Sequence, residues 1–379
     1  MTQTETLLRE LIALPSVNPA FMPAGDPRAG EGRVAEFLLA TAATAGLDVE
    51  LRPVFPGRPN LLARLSPAGK IRRRVLLAPH LDTVGDAAMP DALFQPRTKN
   101  GRLHGRGACD TKGSVAAMLT ALRAVVRGGP RPAETEIVFA GLIDEECGQS
   151  GSRALVKSCF SADLAIVGEP TCLRVVTAHK GDLWLRLETR GRAAHGSKPH
   201  LGRNAVHAMA RIVHLLEKNY AAQLRRRRHP LLGHPTVNVG SINGGRQPNI
   251  VPDHCVISID RRTIPGESQA AVAREIKLLL RRHGLAATLL DTKSDAPCPP
   301  LETDPRRPLV KLFLQAAGQS EPAGVDYFSD AAVLASGGIP SVVFGPGDIA
   351  QAHTADEWIA LRSLERGTAL LEKFLRSLP

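Results

Sequence analysis

The chain has 379 residues, of which 43% are hydrophobic and 22% are charged, close to the composition of an ordinary globular protein. The net charge is +11 at pH 7, which indicates a solvated basic surface that attracts anions. Only 4% of the residues are aromatic and no nucleic-acid-binding motif is present, which argues against a nucleic-acid partner. No apolar run approaches the ~18 residues that span a bilayer and the start lacks a secretory signal, so we expect a cytoplasmic protein without a membrane partner.

The first part of the chain alternates helical and extended patterns. Leucines at helical spacing predict a helix over 6–14 that ends at Pro15, and a second helix over 31–45 ends before Gly46. A third helix is predicted over 114–126. Short apolar stretches predict strands over 48–53, 60–65, 75–78, 136–143 and 164–167. This alternation indicates an α/β fold with helices on both faces of a mixed sheet.

The pattern changes after His179. Beyond it we predict a strand over 182–189, a helix over 204–217, strands near 236–242 and 255–260, a helix over 269–282 and a strand over 286–290. This order is that of the split, ferredoxin-like α+β unit. The α/β pattern resumes with segments over 309–316, 331–335 and 341–344 and a final helix over 361–378. We therefore predict an inserted domain of residues 181–292 within a catalytic domain of residues 1–180 and 293–379.

A histidine and an aspartate follow one predicted strand, at the edge of the sheet where α/β enzymes place their sites. His80 and Asp82 come directly after the apolar strand over 75–78. The two side chains share a strand face, so His80 can bind a metal while Asp82 accepts the other ring N–H. An H-x-D pair on its own most often has a structural role.

Further carboxylates follow the next two strands. Asp144, Glu145 and Glu146 come after the strand over 136–143, and Glu169 follows the strand over 164–167. Adjacent carboxylates repel one another unless cations neutralise them. The alternative interpretation of the first group is a solvated acidic loop.

Asp110 and His353 extend this pattern. Asp110 lies in a glycine-rich turn, residues 105–113, at the start of a helix, and His353 lies beyond a later strand. A carboxylate at this turn can bridge two cations, and the alternative is an N-cap aspartate. The imidazole and carboxylate groups together suit zinc, with cobalt or manganese as substitutes.

In order, and over essentially the whole chain, these motifs resemble the dizinc family of aminoacylase, acetylornithine deacetylase, succinyl-diaminopimelate desuccinylase and carboxypeptidase G. The resemblance implies two Zn²⁺ ions per subunit. It implies that one ion is held by His80 and Glu169, the other by Glu146 and His353, and that Asp110 bridges them.

The same resemblance implies a reaction. Glu145 matches the family's general base and Asp82 the partner that orients the metal-binding histidine. The implied activity is hydrolysis of the amide bond of a small N-acyl amino acid by a dizinc-bridged water, as in acetylornithine deacetylase or succinyl-diaminopimelate desuccinylase. Glutamate at 169 favours deacylases and carboxypeptidases over aminopeptidases. The alternatives are a carboxypeptidase or dipeptidase of the family and a catalytically silent metal-binding protein, which the complete ligand set disfavours.

The inserted domain resembles the family's lid and dimerisation domain. His195, in the segment 191–197, matches the lid histidine. The resemblance implies a homodimer formed through this domain, in which His195 contacts the reaction's oxyanion in the other subunit. The alternative interpretation is an exposed loop histidine.

Substrate-binding positions are also implied. Asn249 and Arg262 match positions that hold the carboxylate of a small-molecule substrate, and Gly345 and Gly347 are further candidates. Arg261 and Arg262 are neighbours on a predicted strand, whose side chains alternate between faces, so only one of them can point to the site.

The six cysteines are scattered and form no C-x-x-C pair, which is typical of thiols in a reducing compartment. Cys147 stands where the family usually has a small residue, and Cys109 precedes the predicted bridging aspartate. We expect both to be buried structural thiols, since cysteine packs as a small hydrophobic residue.

Overall fold

The computed structural model describes residues 1–129, 131–291 and 296–379. The helices are α1 (Gln3–Ala13), α2 (Gly32–Thr44), α3 (Lys112–Arg127), α4 (Ser150–Lys157), α5 (Ala205–Leu215), α6 (Ala221–Leu224), α7 (Gln269–Arg282), α8 (Pro308–Ala317), α9 (Asp330–Ser336) and α10 (Leu361–Arg376). The strands are β1 (Asp48–Phe55), β2 (Arg58–Leu65), β3 (Arg73–Pro79), β4 (Arg97–Lys99), β5 (Arg102–His104), β6 (Thr135–Gly141), β7 (Leu164–Gly168), β8 (Val176–His179), β9 (Gly181–Arg190), β10 (Thr236–Gly244), β11 (His254–Thr263), β12 (Thr288–Asp291), β13 (Leu301–Glu302), β14 (Ala323–Val325), β15 (Ser341–Val343) and β16 (Trp358–Ala360).

The chain divides into two compact units. The first comprises Met1–Thr177, Thr303–Ala323 and Ser329–Pro379, and the second Ala178–Glu302 and Gly324–Phe328. The predicted break after residue 180 falls after Thr177 in these units, and the predicted break between 292 and 293 lies outside the described residues.

A mixed sheet with the order β1-β2-β6-β3-β7-β15-β8 organises the first unit. Strands β6, β3, β7 and β15 run parallel to one another. The pairs β1–β2, β2–β6 and β15–β8 are antiparallel. The central strands β3, β6 and β7 carry continuous runs of buried apolar residues, as expected of strands whose two faces are both covered by helices. Leu77 and Leu76, consecutive on β3, are both fully buried on opposite faces.

Helices cover the two faces of this sheet. On one face, α1, α2, α3, α8 and α10 contribute to a single hydrophobic core with alternate residues of the sheet strands. The helix α9 contacts β7 and β15, and α4 contacts α9 and β1. The predicted α/β class with helices on both faces is confirmed. None of the described helices is long and apolar enough to cross a membrane.

The second unit has the predicted order of elements. Its antiparallel sheet has the order β10-β11-β9-β12, and α5 and α7 pack on one face of it. The chain therefore runs β9-α5-β10-β11-α7-β12, the ferredoxin-like connectivity expected from the sequence. Asn204 begins α5, where its side chain accepts the backbone N–H of His207 at 3.0 Å.

Two short segments assigned by sequence to the larger domain belong to the second unit. The strand β13 pairs with Ala178 and His179, and Gly324 lies against the backbone of Leu231. Such short returning segments carry no periodic pattern, so they were not predicted.

A small sheet of β16, β5 and β4 was also not predicted. Each of these strands has only three residues, too few to show an alternation. The pairing of β16 with β5 places the segment that follows His353 beside the segment that precedes Asp110.

Candidate metal centre

Three neighbouring parallel strands bring most of the candidate ligands to one edge of the sheet. Strand β3 lies between β6 and β7, and all three run in the same direction. His80 follows the last residue of β3, Glu169 follows the last residue of β7, and Glu145 lies in the loop after β6. The carboxyl ends of parallel strands meet at one edge, so residues distant in sequence become neighbours there.

The candidate ligands form two groups that share one residue. His80, Asp110 and Glu169 form the first group and Asp110, Glu146 and His353 the second, and the ligand atoms of each group lie within 4.8 Å of one another. The His80 Nε2 atom is 3.1 Å from Asp110 Oδ1 and 3.8 Å from Glu169 Oε1. The His353 Nε2 atom is 3.3 Å from Asp110 Oδ2 and 3.1 Å from Glu146 Oε2. The two carboxylate oxygens of Asp110 thus face different histidines.

This arrangement shifts the pKa values of the metal-free groups strongly. Hydrogen bonds to the carboxylates of Asp110 and Glu146 raise the pKa of His353 to about 10. Burial raises the pKa of Glu146 to about 7, and burial also raises the pKa of Glu169 well above its ordinary value. Burial opposes ionisation of Asp110, but hydrogen bonds from His353 and His80 outweigh it and lower the pKa of Asp110. Buried like charges this close require counter-charges.

The residues present fit a pair of divalent cations. The buried atoms Glu146 Oε1 and Glu169 Oε1 have no hydrogen-bond partner, which is costly for a carboxylate unless a cation takes that place. Imidazole nitrogens and carboxylate oxygens are the donors that zinc accepts, and a carboxylate facing both groups can be shared. The solvated acidic loop considered for residues 144–146 does not match the burial of Glu145.

The backbone of the glutamate loop is held by Asp82. Its Oδ1 accepts the N–H of Glu145 and its Oδ2 the N–H of Glu146, both at 3.1 Å. The His80 Nδ1 atom is 3.0 Å from the Asp82 backbone oxygen and 3.4 Å from Asp82 Oδ1. An Nδ1 hydrogen directed at Asp82 leaves the lone pair on Nε2, which faces Asp110.

Glu145 lies within this buried site. Its side chain is only 8% exposed, and burial together with the charge of Glu169 raises the pKa of Glu145 well above its ordinary value. A carboxylate tuned upward in this way is suited to accept and return a proton near neutral pH.

Asp110 does not cap a helix. The helix α3 begins at Lys112, and the residue before it is Thr111, whereas the carboxylate of Asp110 contacts the two histidines. The N-cap alternative is therefore wrong for Asp110.

A buried polar network that the sequence did not reveal supports the glutamate loop. Asn18 donates from Nδ2 to Asp82 Oδ2 at 2.8 Å and to Asp144 Oδ1 at 2.9 Å. Arg58 pairs with Glu31 and Asp144, and Glu31 Oε1 accepts the N–H of Asp144 at 3.1 Å. Asn18 was missed because an Asn-Pro pair in a loop is an ordinary turn signal.

Two other buried carboxylates near the site were not predicted to have a role. Asp330 begins α9, accepts the Ser152 hydroxyl hydrogen at 2.5 Å, and has its pKa raised to about 7 by burial. Glu357 accepts hydrogen bonds from the loop that carries Asp110. Neither residue lies in a sequence pattern that indicates its partners.

The prediction that Cys109 and Cys147 are both buried is wrong for one of them. Cys109 is buried, as expected, and donates from Sγ to the Asp348 backbone oxygen at 3.3 Å. Cys147 is exposed, because the turn that follows Glu146 carries its side chain to the surface.

The two candidate glycines are closely packed. A Cβ atom on Gly345 would lie 2.6 Å from the Glu169 backbone oxygen, and one on Gly347 would lie 2.5 Å from Cys109 Sγ. Gly347 also has a φ of +94°, which favours glycine. Packing thus accounts for both glycines, and a contact with substrate remains a prediction.

His195 and Asn249 are brought together within the second unit. The two segments pair through His195 and Ile250, and Gly196 N–H donates to the Asn249 backbone oxygen at 2.7 Å. The His195 side chain is exposed, and its Nδ1 accepts the Ser197 N–H at 3.2 Å. The same Nδ1 atom lies 2.7 Å from the Ser197 hydroxyl oxygen, so Ser197 orients the imidazole ring.

The two arginines on β11 differ as strand alternation requires. Arg261 is fully buried, and its Nη2 donates to Glu267 Oε1 at 2.7 Å. Arg262 is 28% exposed and pairs with Asp260, with Nε to Oδ1 at 2.9 Å. Arg262 is therefore the more exposed of the two arginines, although its guanidinium is held by Asp260, and its contact with substrate remains a prediction.

Residues 76–377 match the peptidase family M20/M25/M40. The chain is 33% identical over 323 residues to an acetylornithine deacetylase of Myxococcus xanthus, covering 83% of this chain and 82% of the relative. It is 29% identical over 381 aligned positions to an acetylornithine deacetylase of Pectobacterium carotovorum subsp. carotovorum, covering 97% and 96%. An M20 family metallo-carboxypeptidase, Sso-CP2 of Sulfolobus solfataricus, has the same fold, with a TM-score of 0.77, 20% identity and 99% of each chain covered.

The match over most of the chain settles the class. The protein belongs to peptidase family M20/M25/M40, and it is an enzyme, an amidohydrolase or peptidase. The family resemblance drawn from the motifs is confirmed.

Proposed function

We propose that the enzyme removes the acyl group from a small N-acyl amino acid, with an acetylornithine deacetylase-like or succinyl-diaminopimelate desuccinylase-like activity. The observation that carries the proposal is the pair of ligand groups joined at Asp110, with the buried carboxylate of Glu145 in the same site. The curated relatives named acetylornithine deacetylase support this substrate class.

Two Zn²⁺ ions are the proposed cofactors, with Co²⁺ or Mn²⁺ as substitutes. His80 and Glu169 would hold one ion, Glu146 and His353 the other, and Asp110 both. When bound, such a pair polarises the scissile carbonyl group and lowers the pKa of water toward neutrality. Asp82 fixes the orientation of His80 and the backbone of the glutamate loop.

Glu145 is the proposed general base. Its buried carboxylate accepts the proton of the attacking water and returns it to the departing amine nitrogen. The hydrogen bonds from the Glu145 and Glu146 backbones to Asp82 hold the loop so that this carboxylate keeps a fixed position.

The second unit is the proposed lid and dimerisation domain, and its exposed polar groups are the proposed substrate contacts. His195 would donate from Nε2 to the developing oxyanion in the partner subunit, and the contacts of its Nδ1 with Ser197 hold the ring in place. Arg262 and Asn249 would hold the substrate carboxylate, for which a guanidinium fork is well suited.

A homodimer through this unit is supported by an exposed sheet edge. Among the described residues, β10 is the end strand of its sheet, and Ile242 on it is 52% exposed. A long exposed edge strand is a template for pairing with another chain. The β10 strand of a second copy of the chain would pair with this edge.

The alternative is a carboxypeptidase or dipeptidase that uses the same centre. The metallo-carboxypeptidase with the same fold keeps this alternative open. The test is a substrate panel with zinc-supplemented protein: N-acetyl and N-succinyl amino acids against dipeptides and C-terminally blocked peptides. The proposal predicts the highest kcat/KM on an N-acyl amino acid. A preference for dipeptides would assign the peptidase activity instead.

A further inference from the structure

Glu357 is a buried carboxylate that lies four positions after His353 in the sequence. It is only 3% exposed and directly precedes β16. Burial of a carboxylate is costly unless hydrogen bonds compensate for the lost hydration. The partners of Glu357 therefore indicate what the side chain is for.

All of these partners belong to one loop, residues 106–110. Glu357 Oε1 accepts the N–H of Cys109 at 2.8 Å and the N–H of Asp110 at 3.0 Å. Glu357 Oε2 accepts the N–H of Gly107 at 2.9 Å and a hydrogen of Arg106 Nη1 at 2.9 Å. Both oxygens are thus occupied, and one of the donors is the backbone of Asp110 itself.

The same residue joins two segments that each carry a candidate metal ligand. The Glu357 backbone oxygen accepts the N–H of Gly105 at 3.1 Å, and the next residue, Trp358, pairs with His104 in the small sheet. The loop of Asp110 and the segment of His353 are therefore fixed to each other. The His353 Nε2 atom lies 3.3 Å from Asp110 Oδ2 across this junction.

We propose that Glu357 is a positioning residue, which sets the orientation of Asp110 and its separation from His353, and thereby the zinc affinity of the shared site. The inference rests on the proposed metal centre. Glu357 itself binds no metal in this account, because its two oxygens already accept the hydrogen bonds of the loop.

The test is zinc affinity in Glu357→Gln, measured on the full-length chain by competition with a chromophoric chelator. An amide of the same size presents an NH₂ group to backbone N–H donors, so the loop must move and Asp110 with it. Zinc affinity is expected to fall about 10- to 100-fold, the range typical for partners of metal ligands. At saturating zinc, kcat is expected to fall while KM changes by less than about twofold.

The control is Glu321→Gln, which removes the same charge from an exposed position of the same unit. It should keep the wild-type zinc affinity. If Glu357→Gln aggregates, Glu357→Asp carries the test, because it keeps the charge but withdraws the carboxylate by one methylene group. Circular dichroism of the metal-free variants reports whether the fold is retained.

Two results would overturn the inference. One is a folded Glu357 variant with zinc affinity within about twofold of the wild type, since partners of metal ligands ordinarily have larger effects. The other is a wild-type chain that binds no zinc, which would also overturn the proposed metal centre. A wild-type chain that binds zinc but hydrolyses no acylated amino acid would contradict the proposed function alone, because the affinity measurement needs no substrate.

Discussion

At the scale of single residues, the two adjacent glutamates after β6 have different surroundings. The carboxylate of Glu146 contacts His353, whereas the buried carboxylate of Glu145 is influenced chiefly by burial and by the charge of Glu169. Glu145→Gln should therefore lower kcat by about 10²- to 10⁴-fold and leave two zinc ions bound. Steady-state kinetics with metal analysis checks this, and Glu321→Gln is the matched surface control. A Glu145→Gln variant as active as the wild type would reject the general-base role.

His195, the proposed lid histidine, gives a second prediction for a single side chain. His195→Ala should lower kcat by about 10²- to 10³-fold, the usual effect of removing one oxyanion donor, with zinc content unchanged. His200→Ala removes another exposed histidine from the same loop and should have little effect. If His195→Ala and His200→Ala had the same kcat, the proposed role of His195 as an oxyanion donor would be rejected.

The metal-free centre predicts a pH dependence of stability. In the folded chain the pKa of Glu146 is raised from 4.5 to about 7, and that of His353 from 6.5 to about 10. Both groups bind protons more tightly when folded, so their stabilising contribution is present at low pH and is lost as the pH rises through these folded values. The Tm of the chelated protein should fall as the pH rises from about 4.5 to about 10, first through the interval of Glu146 and then through that of His353.

Zinc should reverse this trend, because it displaces the proton of His353 and binds more tightly as the pH rises. Thermal melts in chelator and in excess zinc, across the same pH range, measure both effects. A Tm of the chelated protein that rises with pH would contradict the assignment of these shifted groups.

At the scale of elements, the helices and strands whose buried residues repeat at a regular spacing could be predicted from the sequence. The helix α7 has the predicted bounds, and β9 and β11 extend the predicted strands by only a few residues, because their burial alternates or recurs at helical spacing. The helix α1 begins before its predicted start because Thr2 accepts the N–H of Glu5, a cap that lies outside the leucine pattern. Short elements such as β16 depend on partners distant in sequence, so no local pattern predicts them.

The edge strand β10 carries the prediction at this scale. Ile242→Lys places a charge on the exposed strand proposed to pair with a second copy, and should raise the dimer Kd by at least about tenfold. Ile71→Lys is the matched control, since Ile71 is 50% exposed and lies in the other unit. Sedimentation velocity distinguishes the outcomes. A wild-type chain that sediments as a monomer at micromolar concentration would contradict the proposed dimer.

At the scale of the whole molecule, the fold class and the identity of the candidate ligands could be predicted because each ligand follows a recognisable strand or turn. Parallel strands then bring His80 and Glu169 to the same edge. Apart from Asp82, the residues that support the ligands could not be predicted in this way. Asn18 and Glu357 act through hydrogen bonds to distant backbone and side-chain atoms, and only the folded chain defines those partners.

The substrate could not be deduced from the candidate metal centre, because the residues of the centre would act on the amide bond and not on the groups on either side of it. The basic net charge of +11 and the half-buried Arg262 are consistent with a carboxylate-bearing substrate, but the acyl group depends on the shape of the surrounding loops. A sequence can therefore establish the fold and the chemistry of the candidate centre before it establishes the substrate.

The most direct test of the account is reconstitution of the chelated enzyme with zinc. The protein is stripped with a strong chelator, its metal content is measured, and hydrolysis of N-acetylornithine and related N-acyl amino acids is followed as Zn²⁺ is added back. The account predicts an inactive stripped protein whose activity rises with zinc and saturates at two ions per chain. Full activity after exhaustive chelation, with no metal detected, would contradict it.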